Sequence, residues 1–284
     1  MMKSDYQANS ITLTGAVSMG TGVMIGAGIF ALTGQIAELA GPWFPLSFIA
    51  GGIVTGFSAY TYVKMSNAFP SAGGIAMILQ KAYGPGAIAA AASLLMTLSM
   101  VINESLVART FGTYVLRPFD LDAGNVLVPV LGVGLIVFAY LVNLSGNRSV
   151  GLFSVVMAFL KIGGIAVFGI AALAASGFSF EPASGSSDAI PIAGFTASIA
   201  LSILAFKGFT TITNSGAEIV DPHRNVGRTI VLSIVICVVV YLLVAFAVGS
   251  SLSLDEIVAA KDYSLAEAAK PAFGPYGFYF TIAL

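Results

Sequence analysis

Seven stretches of this chain run for roughly the length of a membrane-crossing helix with almost no charge inside them, and nothing else about the sequence limits the fold so sharply. A bilayer core takes about 20 apolar residues per helix, and runs of that order occupy 12–38, 43–67, 87–116, 125–143, 149–175, 191–217 and 228–250. An eighth begins near 274 and continues to Leu284. Charged residues make up 9% of the chain and hydrophobic ones 57%, with mean hydropathy +0.95. Soluble domains carry nearer a quarter charged residues, so the reading is an all-α integral membrane protein. A net charge of −1 leaves no electrostatic footprint for nucleic acid. Cys237 is the single cysteine and His223 the single histidine, so neither a disulfide, a thiol–metal cluster nor a histidine relay can be built within the chain. No cofactor is implied. The first run follows Lys3 without a small-residue cleavage site and reads as a retained span, not a signal peptide.

The connectors are rich in turn and breaker residues: Ala40-Gly41-Pro42, Tyr83-Gly84-Pro85-Gly86, Arg117-Pro118, the segment 176–190 and Asp221-Pro222. Their charges sort into two alternating sets. One holds Lys3, Lys64, Lys81, Arg148, Arg224 and Arg228. The other holds Arg117, Lys261 and Lys270 among Glu38, Asp120, Asp122, Glu181, Asp188, Asp255, Glu256, Asp262 and Glu267. Lysine and arginine in short loops mark the cytoplasmic side, so a multi-pass protein of the plasma (inner) membrane with its N-terminus inside is expected. Between the seventh and eighth runs, Leu254, Ile257, Val258, Leu265 and Ala269 space out either the apolar stripe of a short surface helix or a plain connector. The run 71–83 allows the same two readings on the inner side.

Two spans carry features that an uninterrupted helix does not need. The first reads Gly20-Thr21-Gly22-Val23-Met24-Ile25-Gly26-Ala27-Gly28-Ile29-Phe30. A nucleotide-binding turn would need a preceding strand and a βαβ unit, which are not there. Two readings remain: small residues that let helices approach closely, or a helix broken at membrane depth, tolerated only where the freed backbone lines a cavity. A break exposes N–H groups that attract a carboxylate and carbonyls that attract an ammonium or a cation. The sixth span repeats the pattern in Ser202-Ile203-Leu204-Ala205-Phe206-Lys207-Gly208-Phe209-Thr210-Thr211, with polar Thr213, Asn214 and Ser215 beyond it. Interrupted helices five spans apart point to an inverted repeat with a solute site at its interface.

The runs Gly26-Ala27-Gly28-Ile29-Phe30, Ala40-Gly41-Pro42 and Phe69-Pro70-Ser71-Ala72-Gly73-Gly74 resemble the amino acid–polyamine–organocation (APC) superfamily of transporters. So do Phe206-Lys207-Gly208-Phe209 and Glu218-Ile219-Val220-Asp221-Pro222-His223-Arg224-Asn225-Val226-Gly227-Arg228. The resemblance covers essentially the whole chain. It implies a single transport domain with an APC/LeuT-like core of two inverted five-helix repeats, broken in helices 1 and 6. Its first repeat would span about 12–175 and its second, partial, about 191–284, the chain stopping inside the eighth span and so reading as a fragment of a longer transporter or as an incomplete sequence. The implied function is secondary active transport of an amino acid or related amine by alternating access, and no enzymatic activity. Residue by residue, the amides around Ala27 and Gly28 would hold the substrate carboxylate, with Ile25 and Gly26 among the substrate-binding residues beside them. The carbonyls of Met24, Leu204 and Lys207 would hold its amino group. Phe206, Phe209 and Ile29 would gate or line the side-chain pocket, and Gly208 belongs to the substrate-binding break of the sixth helix. Lys207 departs from the family, where that position is more often apolar; facing the pocket it would disfavour cationic substrates and favour acidic ones, and turned away it would do neither.

A charge at the bilayer centre costs about 2.5–3.5 kcal/mol on insertion scales, so Glu104, Arg109, Lys161 and Lys207 each need a reason. Lys161 lies roughly ten residues from either end of its span, too deep to snorkel easily. In members of the resembled family that do without sodium, a lysine on the fifth helix reaches toward the break in the first and stands where sodium would bind. That carries sodium-independent, proton-coupled symport as the expectation, with exchange open beside it. Glu104 and Arg109 are five apart, about 500° around a helix, and face different directions; Glu104 lines the pathway or pairs elsewhere. Glu218, with the loop Asp221–Asn225, is either a solvated helix end or an inner gate of ion pairs. A channel would show rings of repeated pore residues, a sensor an attached soluble domain, and an enzyme a nucleophile beside a base; none of these patterns is visible, so they stand only as competitors, as does a non-transporting membrane fragment.

Overall fold

Helix after helix follows the apolar runs, and the departures from that simple register are the informative part. The computed structural model describes residues 9–119, 124–144, 147–177, 192–274 and 276–284. Lys3, Asp120, Asp122, Glu181 and Asp188, used above to orient the chain, lie outside them. The first apolar run is three pieces: α1 (Leu13–Met24), α2 (Ala27–Phe30) and α3 (Thr33–Ala40). Then come α4 (Phe44–Ala68), α5 (Gly74–Tyr83), α6 (Ala87–Leu116), α7 (Leu127–Leu144) and α8 (Asn147–Ala175). The sixth run splits into α9 (Ile192–Ala205) and α10 (Phe209–Asn214), followed by α11 (Pro222–Ser251). Short turns α12 (Leu254–Ala259), α13 (Ser264–Ala268) and α14 (Lys270–Phe273) lead to α15 (Tyr276–Ala283), where the eighth apolar run begins. Among the described residues, seven helical stretches are long and apolar enough to cross a membrane. The fold is all-α; among the described residues the β-pairing is an isolated parallel bridge of Ile11 with Ile219.

The centre of the molecule is α11. It packs on α4, α8 and α1, and half of its apolar stretch is buried, whereas little of the apolar stretches of α6 and α7 is. The exterior that remains is apolar, with Phe57, Leu95, Ile102 and Phe159 largely exposed, as a lipid-facing surface should be and a water-facing one should not. The seventh span starts at Pro222, earlier than the expected 228, because proline at the first helical position has its φ already set and no N–H to satisfy. The polar run His223-Arg224-Asn225 is therefore the first turn of α11 and not a loop.

The two uncertain connectors are both helical. The run 71–83 forms α5, which packs on α6 and α10; Gly74 adopts φ +49° where a Cβ would collide with the Asn214 side chain of α10. The segment after α11 is not one surface helix but three short turns. Ser253 opens α12 with a capping box, its hydroxyl and amide both donating to Glu256, which holds the Glu256 carboxyl below the usual carboxylate range. Of the proposed stripe, Ile257, Leu265 and Ala269 are buried, packed against α3 and α11 rather than laid along a membrane surface. Lys261 bonds both Glu38 carboxylate oxygens of α3 at 3.0 and 3.1 Å, and the Arg117 guanidinium stacks 4.4 Å over the Tyr263 ring.

That seam rests on Gly34, where a Cβ would stand 2.4 Å from the Lys261 Cα and 2.5 Å from its carbonyl oxygen. Both are backbone atoms that no rotamer change moves aside. Gly34→Ala is expected to destabilise the chain by about 1–3 kcal/mol, read as a lowered midpoint of thermal unfolding in detergent. Breaking the half-exposed Glu38–Lys261 pair alone should change it by less than about 1 kcal/mol. The reverse ranking would show that charge and not close packing holds the seam.

Candidate functional site

Both interrupted spans break, but by different means. In the first, Ile25 takes φ −79° and ψ +82°, off the helical path. The Gly26 amide turns back to the Met24 carbonyl at 3.0 Å instead of reaching Gly22, its partner in a continuous helix. In the sixth, the chain tightens. Phe206, Lys207, Phe209, Thr210 and Thr211 each donate to the carbonyl three residues back, the 3₁₀ pattern, and Gly208 keeps ordinary helical angles.

The breaks meet. A Cβ on Gly28 would lie 3.0 Å from the Ala205 Cα and carbonyl oxygen, and a Cβ on Gly208 would lie 2.8 Å from the Met24 amide nitrogen. Each glycine of one span thus seats the residue at the break of the other. Beside this crossing is a cavity of about 330 Å³, lined by Met24, Gly28, Leu204, Lys207, Gly208 and Glu104 among the residues expected from sequence. Lys207 faces the cavity, and its ammonium donates to the Ser99 hydroxyl of α6. Glu104 and Asn103 stand on the same α6 wall, so the cavity carries one cation and one anion. Arg109 is not among the lining residues.

Other expected site residues lie off this cavity. Ile25, Ile29 and Phe206 are completely buried in the core and Phe209 nearly so, its ring edge-on to Tyr62 at 5.2 Å. Ala27 begins α2. Glu218 follows the end of α10, where its carbonyl accepts the Ile11 amide at 3.0 Å while Val220 donates back to Ile11 at 2.9 Å. Lys161 and Gly26 line a second cavity of about 290 Å³. The Lys161 ammonium donates to the Gly22 carbonyl at 3.4 Å, the acceptor that the turned-back Gly26 amide left without its helical partner.

Backbone hydrogen-bonding capacity at the breaks is mostly spent. The Met24 carbonyl accepts both the Gly26 amide and the Tyr241 hydroxyl. The Lys207 carbonyl accepts the Thr210 amide and hydroxyl. The Leu204 carbonyl accepts the Lys207 amide at 3.1 Å and keeps a lone pair. Among the described residues no acceptor takes the Gly28 amide. Since α2 is only four residues long, its macrodipole is small, and any pull on an anion comes from that local N–H.

Of Ser99, Asn103, Asn214 and Tyr241, the sequence reading noted only Asn214, as a polar residue beyond the second break, and gave it no role in the site. The first three are ordinary polar residues in apolar helices, indistinguishable by pattern from hydroxyls and amides that bond their own backbone. Tyr241 did leave a signal: it is a phenol directly after the Val238–Val240 run of the most apolar span, where its hydroxyl must find a partner.

A family model described as amino acid permease matches residues 11–284. The uncharacterized protein MJ0609 of Methanocaldococcus jannaschii is 34% identical over 278 residues, which cover 96% of this chain and 62% of that protein. The inner membrane transport protein YbaT of Escherichia coli is 33% identical over 276 residues, 95% of this chain and 62% of its own length. The branched-chain amino acid permease BcaP of Lactococcus lactis is 24% identical over 251 residues, covering 81% and 54%. The chain therefore spans less than two thirds of the length of each of these relatives.

Proposed function

Because the chain belongs to the amino acid permease family, a family of multi-pass membrane transporters, we propose that it binds an amino acid where its two interrupted spans cross and moves it by alternating access. The observation that carries this reading is the 330 Å³ cavity at the crossing of Gly28 and Gly208. Its wall bears Lys207 and Glu104, charges of both signs, as a zwitterion requires. The unpaired Gly28 amide suits the substrate carboxylate. Of the carbonyls expected to take the ammonium, Leu204 is the one with capacity left, with Glu104 on the facing wall. Lys161, seated at the broken end of α1, supports sodium-independent and proton-coupled transport. The charge alternation of the loops supports a cytoplasmic N-terminus.

The test is uptake of a panel of labelled amino acids by proteoliposomes containing the 284-residue chain, with and without an inward proton gradient and with unlabelled solute preloaded. Saturable uptake stimulated by the gradient is expected. Uptake that depends on preloading instead would replace symport by exchange, and neither binding nor uptake of any amino acid or amine would overturn the reading.

Lys207 sets the side-chain preference, because a cation facing the cavity repels lysine and arginine and attracts aspartate and glutamate. Lys207→Met is expected to let cationic amino acids compete about tenfold better, and acidic ones about tenfold worse, with neutral ones changed little. A shift of that size is about 1.4 kcal/mol, within reach of one charge at partly desolvated range. Competition curves that overlay the wild type for all three classes would remove Lys207 from the pocket.

A further inference from the structure

Tyr241 lies on α11, outside both interrupted spans, and is completely buried. Its hydroxyl donates to the Met24 carbonyl at 2.6 Å and to the Ala205 carbonyl at 2.9 Å, sharing one proton between the last residue of α1 and the last residue of α9. These are the residues against which Gly208 and Gly28 are seated. Two rings pack against the Tyr241 ring, Phe206 at 4.9 Å between centroids and Phe48 at 5.6 Å. Buried carbonyls freed by a helix break must find donors, and here a single donor from a third helix serves both breaks.

We infer that Tyr241 is a positioning residue that ties the two breaks into one site. Resting on the amino acid reading above, it fixes the relative placement of the Gly28 amide and the Leu204 carbonyl, and so the span between the carboxylate and ammonium subsites. It touches neither subsite itself; the cavity wall does not include it.

Tyr241→Phe removes the hydroxyl and keeps the ring. Hydrogen exchange of the 284-residue chain in lipid nanodiscs should then quicken about five- to tenfold in two segments far apart in sequence, 22–28 and 203–209, and little elsewhere, since two buried acceptors lose one donor. Amino acid affinity should fall about tenfold. Gly34→Ala, at the α3 seam against Lys261, is the control and is expected to lower the unfolding temperature without moving affinity. Quickening of one segment or neither overturns the tie, and quickening of both with unchanged affinity overturns the positioning role. If the wild-type chain binds no amino acid, it is the amino acid reading that falls, and the exchange rates still decide the tie. Should Tyr241→Phe fail to fold, the wild-type chain serves: the two segments should open with the same denaturant dependence, and different dependences would overturn the proposal.

Discussion

Gly208→Val is expected to abolish amino acid binding by the purified chain while leaving its helix content unchanged. The reason is volume, not conformation, because Gly208 adopts helical angles that valine tolerates. A Cβ there would stand 2.7 Å from the Met24 side chain and 2.8 Å from the Met24 backbone nitrogen. The side chain can rotate; the backbone cannot, so the crossing of the first and sixth spans must open. Overpacking of this kind costs about 1–3 kcal/mol for one or two extra methylenes, which a large helical protein survives. The site does not, since Met24 and Gly208 are adjoining parts of the same cavity wall and catalysing or binding constellations tolerate little misplacement. Gly56 supplies the control: nothing lies within 4 Å of its added Cβ, and Gly56→Ala should bind as the wild type does and be slightly more stable, by about 0.5–1 kcal/mol. Isothermal titration of both variants with the substrate found in the uptake panel checks the pair. Wild-type affinity in Gly208→Val would mean that the crossing is structural and the solute sits elsewhere.

Lys161→Met is expected to abolish gradient-driven uptake and, at the same time, to raise the unfolding temperature. A lysine at membrane depth is unfavourable by about 2.5–3.5 kcal/mol on insertion scales, and methionine fills similar space without charge. The Gly22 carbonyl loses its donor, an offset of about 1–3 kcal/mol, so the net gain is small. On the proposed reading, the charge acts on the broken end of α1, where it meets the Gly22 carbonyl. Substrate binding should survive within a few fold, because Lys161 lines the neighbouring cavity and not the one at the crossing. Uptake and thermal unfolding measured on the same preparation separate the roles. A variant that is less stable but still gradient-driven would make Lys161 a structural donor only.

Much of this architecture was readable from residue order. The apolar runs predicted the spans to within a few residues except at Pro222, where helix-starting chemistry overrode the hydropathy edge. Gly26-Ala27-Gly28 and Lys207-Gly208 marked the two interruptions correctly, because glycine and a buried charge are both unfavourable inside a lipid-embedded helix unless something is gained. The manner of each break was not readable. Nothing in the residue order separates a backbone that leaves the helix at Ile25 from one that tightens into 3₁₀ geometry at Phe206. The aromatic residues were the weakest inference: Phe206 and Phe209 were expected beside the solute and instead pack into the core, one of them as the wall that holds Tyr241.

Hydropathy, loop charge and the placement of glycines determined by themselves that this chain is a bundle of membrane helices with two weak points, since those properties act locally and a bilayer leaves few alternatives. Only the tertiary structure decided what occupies the weak points. Carbonyls released at Met24, Ala205 and Gly22 are satisfied by Tyr241 and Lys161, from helices remote in sequence, and the direction of Lys207 is decided by Ser99 on α6. Such partners are chosen by distance and angle in the folded chain, and hydrogen bonds a few ångströms long leave no periodicity along the sequence from which to read them.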